Sequence, residues 1–376
     1  MFTPTDLPRL YGLPCGVDIA QAVVSGLRDR LADAPPQAMA RVELIVNAER
    51  MAQRVRAAFD AGPPGLLPRI RLVSDCADLR DVAHLPVPVP ALRRRLEVMQ
   101  LVGALLEAQP DLAPRSARYD LADQLVRIYD EMVDEGVSPD VLEQLDTTDQ
   151  SGHWARALTF LQIVRPFVEG DEMDAQTHMR RGIEARIARW RDDPPDHPVI
   201  VAGSTGSRGT TRMLMEAVAR LPQGAVILPG VDPHMPGDVW QGLDDALTGE
   251  DHPQFRFARV CQALGRDPTD IPDWARMQPP SVARNQVVSL ALRPAPVTDQ
   301  WLRDGPDLPD LPEAMADVTL LEAASPRDEA LTIAWRLRHA AQGGETAALV
   351  TPDRMLARRV SAALDRWRLV ANDSAG

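Results

Sequence analysis

A pattern of strand, turn and helix occurs twice in this chain, and it constrains the fold more than any other feature. Residues 42–59 read VELIVNAERMAQRVRAAF, and residues 347–364 read AALVTPDRMLARRVSAAL. Each copy begins with an apolar run typical of a buried strand, passes through a polar turn and continues with apolar residues at helical spacing. Because many unrelated α/β proteins contain such units, only the shared acid-Arg-Met and Arg-Val positions argue for kinship. We expect two related units, each opening one half of an α/β protein.

The composition is that of a globular protein with no membrane contact. The chain has 376 residues, of which 45% are hydrophobic, enough for more than one core. No apolar run reaches the length of a membrane-spanning helix, and the N-terminus has neither the basic nor the apolar region of a signal peptide. We therefore expect a cytoplasmic location. The three cysteines, Cys15, Cys76 and Cys261, lie far apart in sequence and predict neither a disulfide framework nor a zinc site.

The chain contains no lysine. All 41 of its lysine-plus-arginine residues are arginine, and its formal net charge is -13. A Walker A phosphate loop, a protein kinase and a Schiff-base enzyme each need a lysine, so these classes are excluded. The acidic total argues against a protein that coats nucleic acid over its whole surface, although a local basic groove is compatible with it.

The N-terminal region has the pattern of a nucleotide-binding fold without its nucleotide. A Gly/Pro turn over residues 11–17 leads to Asp18, the candidate N-cap of an amphipathic helix. The strand at residues 42–46 continues into a turn without glycine, and this turn places Glu49 where a nucleotide-binding protein would hold phosphate. A second strand is predicted at residues 66–73. The carboxylate of Glu49 would repel a triphosphate.

Residues 91–190 are predicted to form a helical insertion. Its apolar positions recur at helical spacing in three stripes. The stripes are Leu92, Leu96, Met99, Val102 and Leu106; Leu121, Leu125, Ile128 and Met132; and Leu158, Leu161, Val164 and Phe167. Two basic clusters, residues 93–95 and Arg180 with Arg181, could contact phosphates, although such runs usually form only the solvated face of a helix.

The pattern returns to α/β at residue 198, with a glycine-rich turn between a strand and a helix. Gly203, Gly206 and Gly209 resemble a dinucleotide fingerprint, with Asp232 after the next strand placed to bind a ribose hydroxyl. An NAD(P)-binding enzyme of Rossmann type using Gly203 to Gly209 is therefore one alternative. The late position of the motif, the shortage of further strands and the missing lysine of short-chain dehydrogenases favour a plain Gly/Ser-rich turn instead.

The last third of the chain carries no clear site. His234 and His252 have no second histidine at helical spacing, so we interpret them as loop residues rather than metal ligands. A Pro/Asp-rich linker at residues 301–312 precedes a predicted strand at residues 318–323, a helix capped by Ser325 and the second copy of the opening pattern. The chain ends one strand later, so the second half is expected to be incomplete.

Six segments together resemble one known family. They are LYGLPCGVD (10–18), LRRRLEVMQLV (92–102), VIVAGSTGSR (199–208), VILPGVD (226–232), EAASPRDEALTIAWRLR (322–338) and ALVTPDRMLARRV (348–360). The chain closely resembles the N-terminal part of the AddB family, in its alphaproteobacterial form, over residues 10–376. In that family AddB is the partner of AddA in a helicase–nuclease that resects double-strand DNA breaks for recombination.

The resemblance implies an inactivated RecA-like fold of the superfamily 1 helicases. Residues 1–90 and 191–307 would form the first RecA-like domain, residues 91–190 its helical insertion, and residues 308–376 the start of an incomplete second RecA-like domain. Arg354 would lie where active helicases sense nucleotide. Without a Walker A lysine, we expect it to be structural and held by acidic neighbours. No catalytic, cofactor-binding or metal-binding residue is expected in this chain.

The function implied by the resemblance is that of a non-motor scaffold. It would bind DNA ends beside an AddA-type subunit, assist strand separation and contribute to recognition of a recombination hotspot. The family's nuclease domain, with a divalent metal and often an iron–sulfur cluster, would follow residue 376, so no activity is expected from this chain alone. The alternatives are the NAD(P)-binding enzyme and a purely structural subunit without DNA contact.

Overall fold

The protein is divided into two compact units. The computed structural model describes residues 1–138, 141, 172–243 and 245–373. The units are Met1–Ala314 and Met315–Gly376. The first contains a parallel sheet with helices on both faces, and the second is built around two helices. The α/β class predicted from the sequence is therefore confirmed.

Five parallel strands form the sheet of the first unit. They are β1 (Leu10–Pro14), β2 (Glu43–Val46), β3 (Arg69–Leu72), β4 (Val199–Ala202) and β5 (Gly224–Val231). Their spatial order is β1-β5-β4-β2-β3, which places β4 at the centre. All four residues of β2 and of β4 are buried, as expected for parallel strands covered on both faces.

The helices flank this sheet and continue beyond it. In the first unit they are α1 (Ile19–Arg30), α2 (Ala38–Arg41), α3 (Glu49–Asp60), α4 (Leu79–Val82), α5 (Ala91–Ala108), α6 (Arg118–Glu135), α7 (Ala175–Asp192), α8 (Gly209–Arg220), α9 (Gly237–Gly242), α10 (Ala246–Gly249), α11 (Phe255–Leu264), α12 (Val282–Ala291), α13 (Gln300–Asp304) and α14 (Leu311–Ala314). In the second unit they are α15 (Pro326–Gln342) and α16 (Arg354–Asp365). Asp18 caps α1 and Ser325 caps α15, as predicted.

Two apolar cores lie on opposite faces of the sheet, because successive strand residues point to opposite sides. On one face α1 and α3 contribute Leu27 and Val55. On the other face α7, α8 and α11 contribute Ile183, Leu214 and Val260. The sheet is thus the middle layer of three. Because its strands are parallel, the strand-to-helix connections all leave it at the carboxyl ends of the strands.

Strand β1 takes up residues 11–14 of the predicted Gly/Pro turn, so the prediction was wrong there, and a turn remains at residues 15–17 before Asp18. Leu10 to Pro14 pair with β5, although Gly12 and Pro14 are poor strand residues. The outer side of β1 is also bonded. The Gly12 N–H donates to Pro272 O at 3.0 Å, and the Trp274 N–H donates to Gly12 O at 3.0 Å. The strand is formed by distant partners that its own residues do not reveal.

The helical insertion begins at α5 as predicted, but two apolar stripes are rotated. Val98, Val102 and Leu106 are buried on α5, whereas Leu92 is 66% exposed and Leu96 is 48% exposed. On α6 the buried positions are Ala122, Leu125 and Tyr129, and Ile128 is 41% exposed. The face that a helix buries is decided by its neighbour, and apolar residues on both sides make the spacing ambiguous. The third stripe, Leu158, Leu161, Val164 and Phe167, lies outside the described residues.

The second unit has the predicted helices but not the predicted strands. Residues 318–323 and 347–350 form no regular secondary structure, and neither segment pairs with another strand among the residues that the structure describes. Val350 is 93% exposed, so the predicted burial of the strand in the second copy is also wrong; Leu320 is 85% exposed. An apolar run supplies side chains for a strand, but a strand also needs a neighbour for its backbone hydrogen bonds. Helices α15 and α16 pack against each other around Ala334 and Val360.

The predicted Pro/Asp-rich linker at residues 301–312 is partly helical. Helix α13 enters it and α14 begins within it. Along the chain, the boundary between the two compact units follows Ala314. The sequence suggested a domain boundary between residues 307 and 308.

Candidate functional site

The carboxyl ends of the strands form the candidate site, because open parallel sheets bind ligands outside these ends. Besides residues 73–78 between β3 and α4, four connections leave this edge of the sheet towards helices. They are residues 15–18 between β1 and α1, residues 47–48 between β2 and α3, residues 203–208 between β4 and α8, and residues 232–236 between β5 and α9. Their chemistry decides whether this edge can hold a phosphate.

The first connection, missed in the sequence because β1 was missed, carries a carboxylate at the start of α1. Asp18 Oδ1 accepts the backbone N–H of Gln21 at 3.1 Å, and its Oδ2 accepts Nη2 of Arg54 at 2.5 Å. The second connection does the same with Glu49, the first residue of α3, which pairs with Arg56 at 3.2 Å. Both helix N-termini, the usual positions for a bound phosphate, therefore already carry a carboxylate, and each carboxylate is paired with an arginine.

The third connection is the glycine-rich turn, and its helix N-terminus is occupied by a side chain of the protein. The backbone N–H of Gly209 donates to Glu135 Oε1 at 2.8 Å. Arg212 Nη2 contacts the other oxygen, Glu135 Oε2, at 3.4 Å. Glu135 ends α6 in the helical insertion, so this carboxylate comes from a different part of the fold. It lies where a dinucleotide would place its pyrophosphate.

Backbone geometry explains the glycines of this turn without a ligand. Gly203 has φ 76° and Gly206 has φ 68°, a region that glycine tolerates and other residues rarely adopt. Gly209 is needed for close approach, because a Cβ there would lie 2.6 Å from the backbone oxygen of Asp134. The spacing that resembles a dinucleotide fingerprint thus follows from two turns and one helix contact.

The fourth connection places Asp232 in a polar cluster at the end of β5. Asp232 Oδ1 accepts the N–H of His234 at 2.8 Å, and the N–H of Asp232 donates to Gln254 Oε1 at 3.2 Å. The thiol of Cys15 donates to Gly230 O at 3.1 Å. Burial and the nearby charge of Asp232 raise the pKa of Cys15, which keeps the thiol protonated near neutral pH. The cluster therefore holds no activated nucleophile.

The two histidines belong to the same cluster. His252 is half-buried, and its Nδ1 accepts the N–H of Gln254 at 3.1 Å. Burial lowers the pKa of His252, so its ring is neutral at neutral pH. The backbone oxygen of His234 accepts Nη2 of the buried Arg293 at 3.2 Å. These contacts join the β5 connection to the segment that follows α12.

Most of the predicted basic clusters are neutralised by carboxylates. Arg93 pairs with Glu97 and with Glu172, each at 2.8 Å, and Arg95 pairs with Asp123 at 2.6 Å. Arg94 is buried and donates to the backbone oxygen of Glu172. Arg180 pairs with Glu184 at 2.9 Å, and Arg181 is exposed.

Arg354 does not have the expected acidic neighbours. It is the first residue of α16, and its side chain is exposed. Within the described part of the chain, its guanidinium forms no ion pair. The N-cap Asp353 instead accepts the N–H of Met355 at 2.7 Å.

The comparisons leave the family open. No protein-family model matches the chain, and no curated protein matches it. Among the described residues, no three histidine, cysteine or acidic side chains are arranged to hold a metal ion. No helix in the described ranges combines the length and the apolarity needed to span a membrane.

A half-buried carboxyl group lies where the insertion meets the glycine-rich connection. Asp130 on α6 is surrounded by Asp174, the N-cap of α7, by Arg94 of α5 and by Arg208 before α8. Burial and then the charge of Asp174 raise the pKa of Asp130 to about 6, and the two arginines only partly oppose this. The folded state therefore binds this proton more tightly than the unfolded state, whose aspartate pKa is about 3.9.

We expect Asp130→Asn to stabilise the protein above pH 6. The contribution of Asp130 is retained below pH 4 and lost as the pH rises through 6, because the folded state then holds an unfavourable charge. The gain from asparagine at pH 7.5 should be about 1 kcal/mol after allowance for solvent screening, and it should vanish near pH 4. Urea unfolding at both pH values measures it. Glu131→Gln, an exposed change on the same helix, is the control, and equal behaviour of the two variants would contradict the assignment.

Proposed function

We propose that this chain is a non-motor, helicase-like scaffold subunit of a helicase–nuclease that resects double-strand DNA breaks. It would bind DNA beside an AddA-type partner, assist strand separation and contribute to hotspot recognition. The six sequence segments that resemble the AddB family support this proposal. The parallel sheet with an insertion between β3 and β4 is compatible with a RecA-like domain, which we propose as the finer fold.

The occupied helix N-termini are the observation that carries the non-motor part of the proposal. At α1, α3 and α8 the first turn already holds a carboxylate, from Asp18, Glu49 and Glu135 respectively. A triphosphate would meet three carboxylates, two of which, Asp18 and Glu135, already accept backbone N–H groups. The chain also has no lysine that could bind the phosphates in place of these N–H groups. A nucleotide fold in this state would serve as a rigid support.

DNA binding is tested with the purified chain and a fluorescent forked duplex. If the scaffold has a phosphate-binding groove, the dissociation constant measured by anisotropy should weaken by about tenfold or more between 50 and 200 mM salt, because bound phosphates release counterions. A salt-insensitive or absent signal would contradict DNA binding and favour the purely structural subunit. A double-stranded probe of equal length serves as the control for fork preference.

The same preparation tests the absence of motor activity. Phosphate release from ATP should stay at the background level with and without DNA, and DNA-stimulated release would refute the non-motor proposal. The NAD(P)-binding alternative predicts saturable quenching of tryptophan fluorescence by NADPH, which should be lost in Gly206→Asp. We expect no saturable quenching, because Glu135 occupies the N–H of Gly209.

A further inference from the structure

Helices α5 and α6 form a pair with a core of its own. Val98, Val102 and Leu106 of α5 pack against Leu125 and Tyr129 of α6, and this cluster is separate from both cores on the sheet. Segments with few apolar contacts to the rest of a protein open locally at low free energy. The packing of the pair therefore does not depend on apolar contacts with the sheet, and its ends are held by polar contacts.

The contacts between α6 and α8 are polar and lie end to end. The carbonyl end of α6 faces the amino end of α8, so the two helix dipoles attract. Glu135 accepts the N–H of Gly209, and the hydroxyl of Thr210 donates to Asp134 O at 3.3 Å. Arg212 completes the contact with Glu135, and both of these side chains are partly exposed.

Helix α7, the last helix of the insertion, is held to the sheet in a different way. Its Arg186 forms a buried ion pair with Glu43 of β2 at 2.8 Å. Ile183 and Trp190 of the same helix belong to a core on the sheet. Helix α7 is thus fixed by burial. The last turn of α6 is tied to α7 through Asp134, which accepts hydrogen bonds from Gln176 Nε2 at 3.0 Å and from Arg180 Nη1, and to α8 through the partly exposed Glu135.

We infer that Glu135 is a latch that holds the last turn of α6 against the glycine-rich connection of the sheet. Release of the latch separates this turn from α8 and uncovers the first turn of α8 at the carboxyl end of β4. The inference concerns the conformation of the first unit alone, and it holds whether or not the proposed DNA role is correct.

Hydrogen exchange measured by mass spectrometry on the whole chain tests the latch. In Glu135→Ala, peptides covering the last turn of α6 and the first turn of α8 should exchange about tenfold to a hundredfold faster, the effect expected for a lost charge-assisted hydrogen bond. Peptides from the interior of α5 and α6 and from β2 and β4 should keep their protection. Glu131→Ala, an exposed change on the same helix, is the matched control.

Two results would overturn the inference. Exchange in Glu135→Ala that equals the Glu131→Ala control would show that the contact holds nothing closed. Faster exchange that includes the interior of α5 and α6 would show unfolding instead of opening. Gly209→Ala attacks the latch from the other side, since its Cβ would lie 2.6 Å from Asp134 O. It should reproduce the same local pattern, and Glu135→Ala decides the question if Gly209→Ala does not fold.

Discussion

Replacing Arg186 with methionine is expected to lower the free energy of unfolding of the first unit by about 3–5 kcal/mol. Arg186 Nη2 donates to both carboxylate oxygens of Glu43, at 2.8 and 2.9 Å, and its Nη1 donates to Cys76 O. Both ionic side chains are less than 5% exposed. Methionine has a similar length but no charge, so Glu43 would be left buried without its main partner.

Chemical unfolding followed by circular dichroism measures this loss. Arg191→Met is the matched control, because Arg191 lies on the same helix but is exposed, and its loss should stay within about 0.5 kcal/mol. The double variant Glu43→Leu with Arg186→Met removes both charges and should recover much of the lost stability. If Arg186→Met and Arg191→Met are equally stable, the ion pair does not hold the insertion to the sheet.

Local pattern was sufficient to predict the elements whose residues carry their own signal. Strands β2, β4 and β5 are short apolar runs with turns on both sides, and α1 is marked by Asp18 as its N-cap. Strand β1 was not predicted because Gly12 and Pro14 are poor strand residues. Its pairing with β5 and with residue 272 compensates for them in the folded protein. A tertiary contact of this kind overrides the local preference.

The candidate site shows the same limit more clearly. The glycines at positions 203, 206 and 209 were visible in the sequence, but the carboxylate that occupies the helix N-terminus is Glu135, from a helix that precedes the turn by many residues. No spacing rule connects Glu135 to Gly209. The missing lysine and the acid at Glu49 argued against a phosphate site, and that expectation stays a prediction.

Replacing Trp274 with alanine is expected to destabilise the first unit by about 3–5 kcal/mol, the usual loss for a large buried aromatic side chain. Trp274 is 1% exposed, and its Nε1–H donates to Val23 O at 3.2 Å. The guanidinium of Arg30 lies 3.8 Å from its ring centroid, and the ring of Tyr11 meets it edge-on at 5.2 Å. Residues 272–274 hydrogen-bond to the outer side of β1, and the side chain of Trp274 holds this segment against α1.

Gly26 of α1 provides a second test of this prediction, because the indole of Trp274 packs directly against it. A Cβ at Gly26 would be 2.3 Å from Trp274 Nε1, so Gly26→Ala should destabilise the wild-type protein. In the Trp274→Ala background the same change should be neutral or stabilising, since the clash is gone and alanine favours a helix. Circular dichroism of the four proteins of this cycle gives the coupling. If the losses in free energy of unfolding from the two substitutions are additive, Trp274 does not pack against Gly26 of α1. Another contact would then have to hold residues 272–274 against β1.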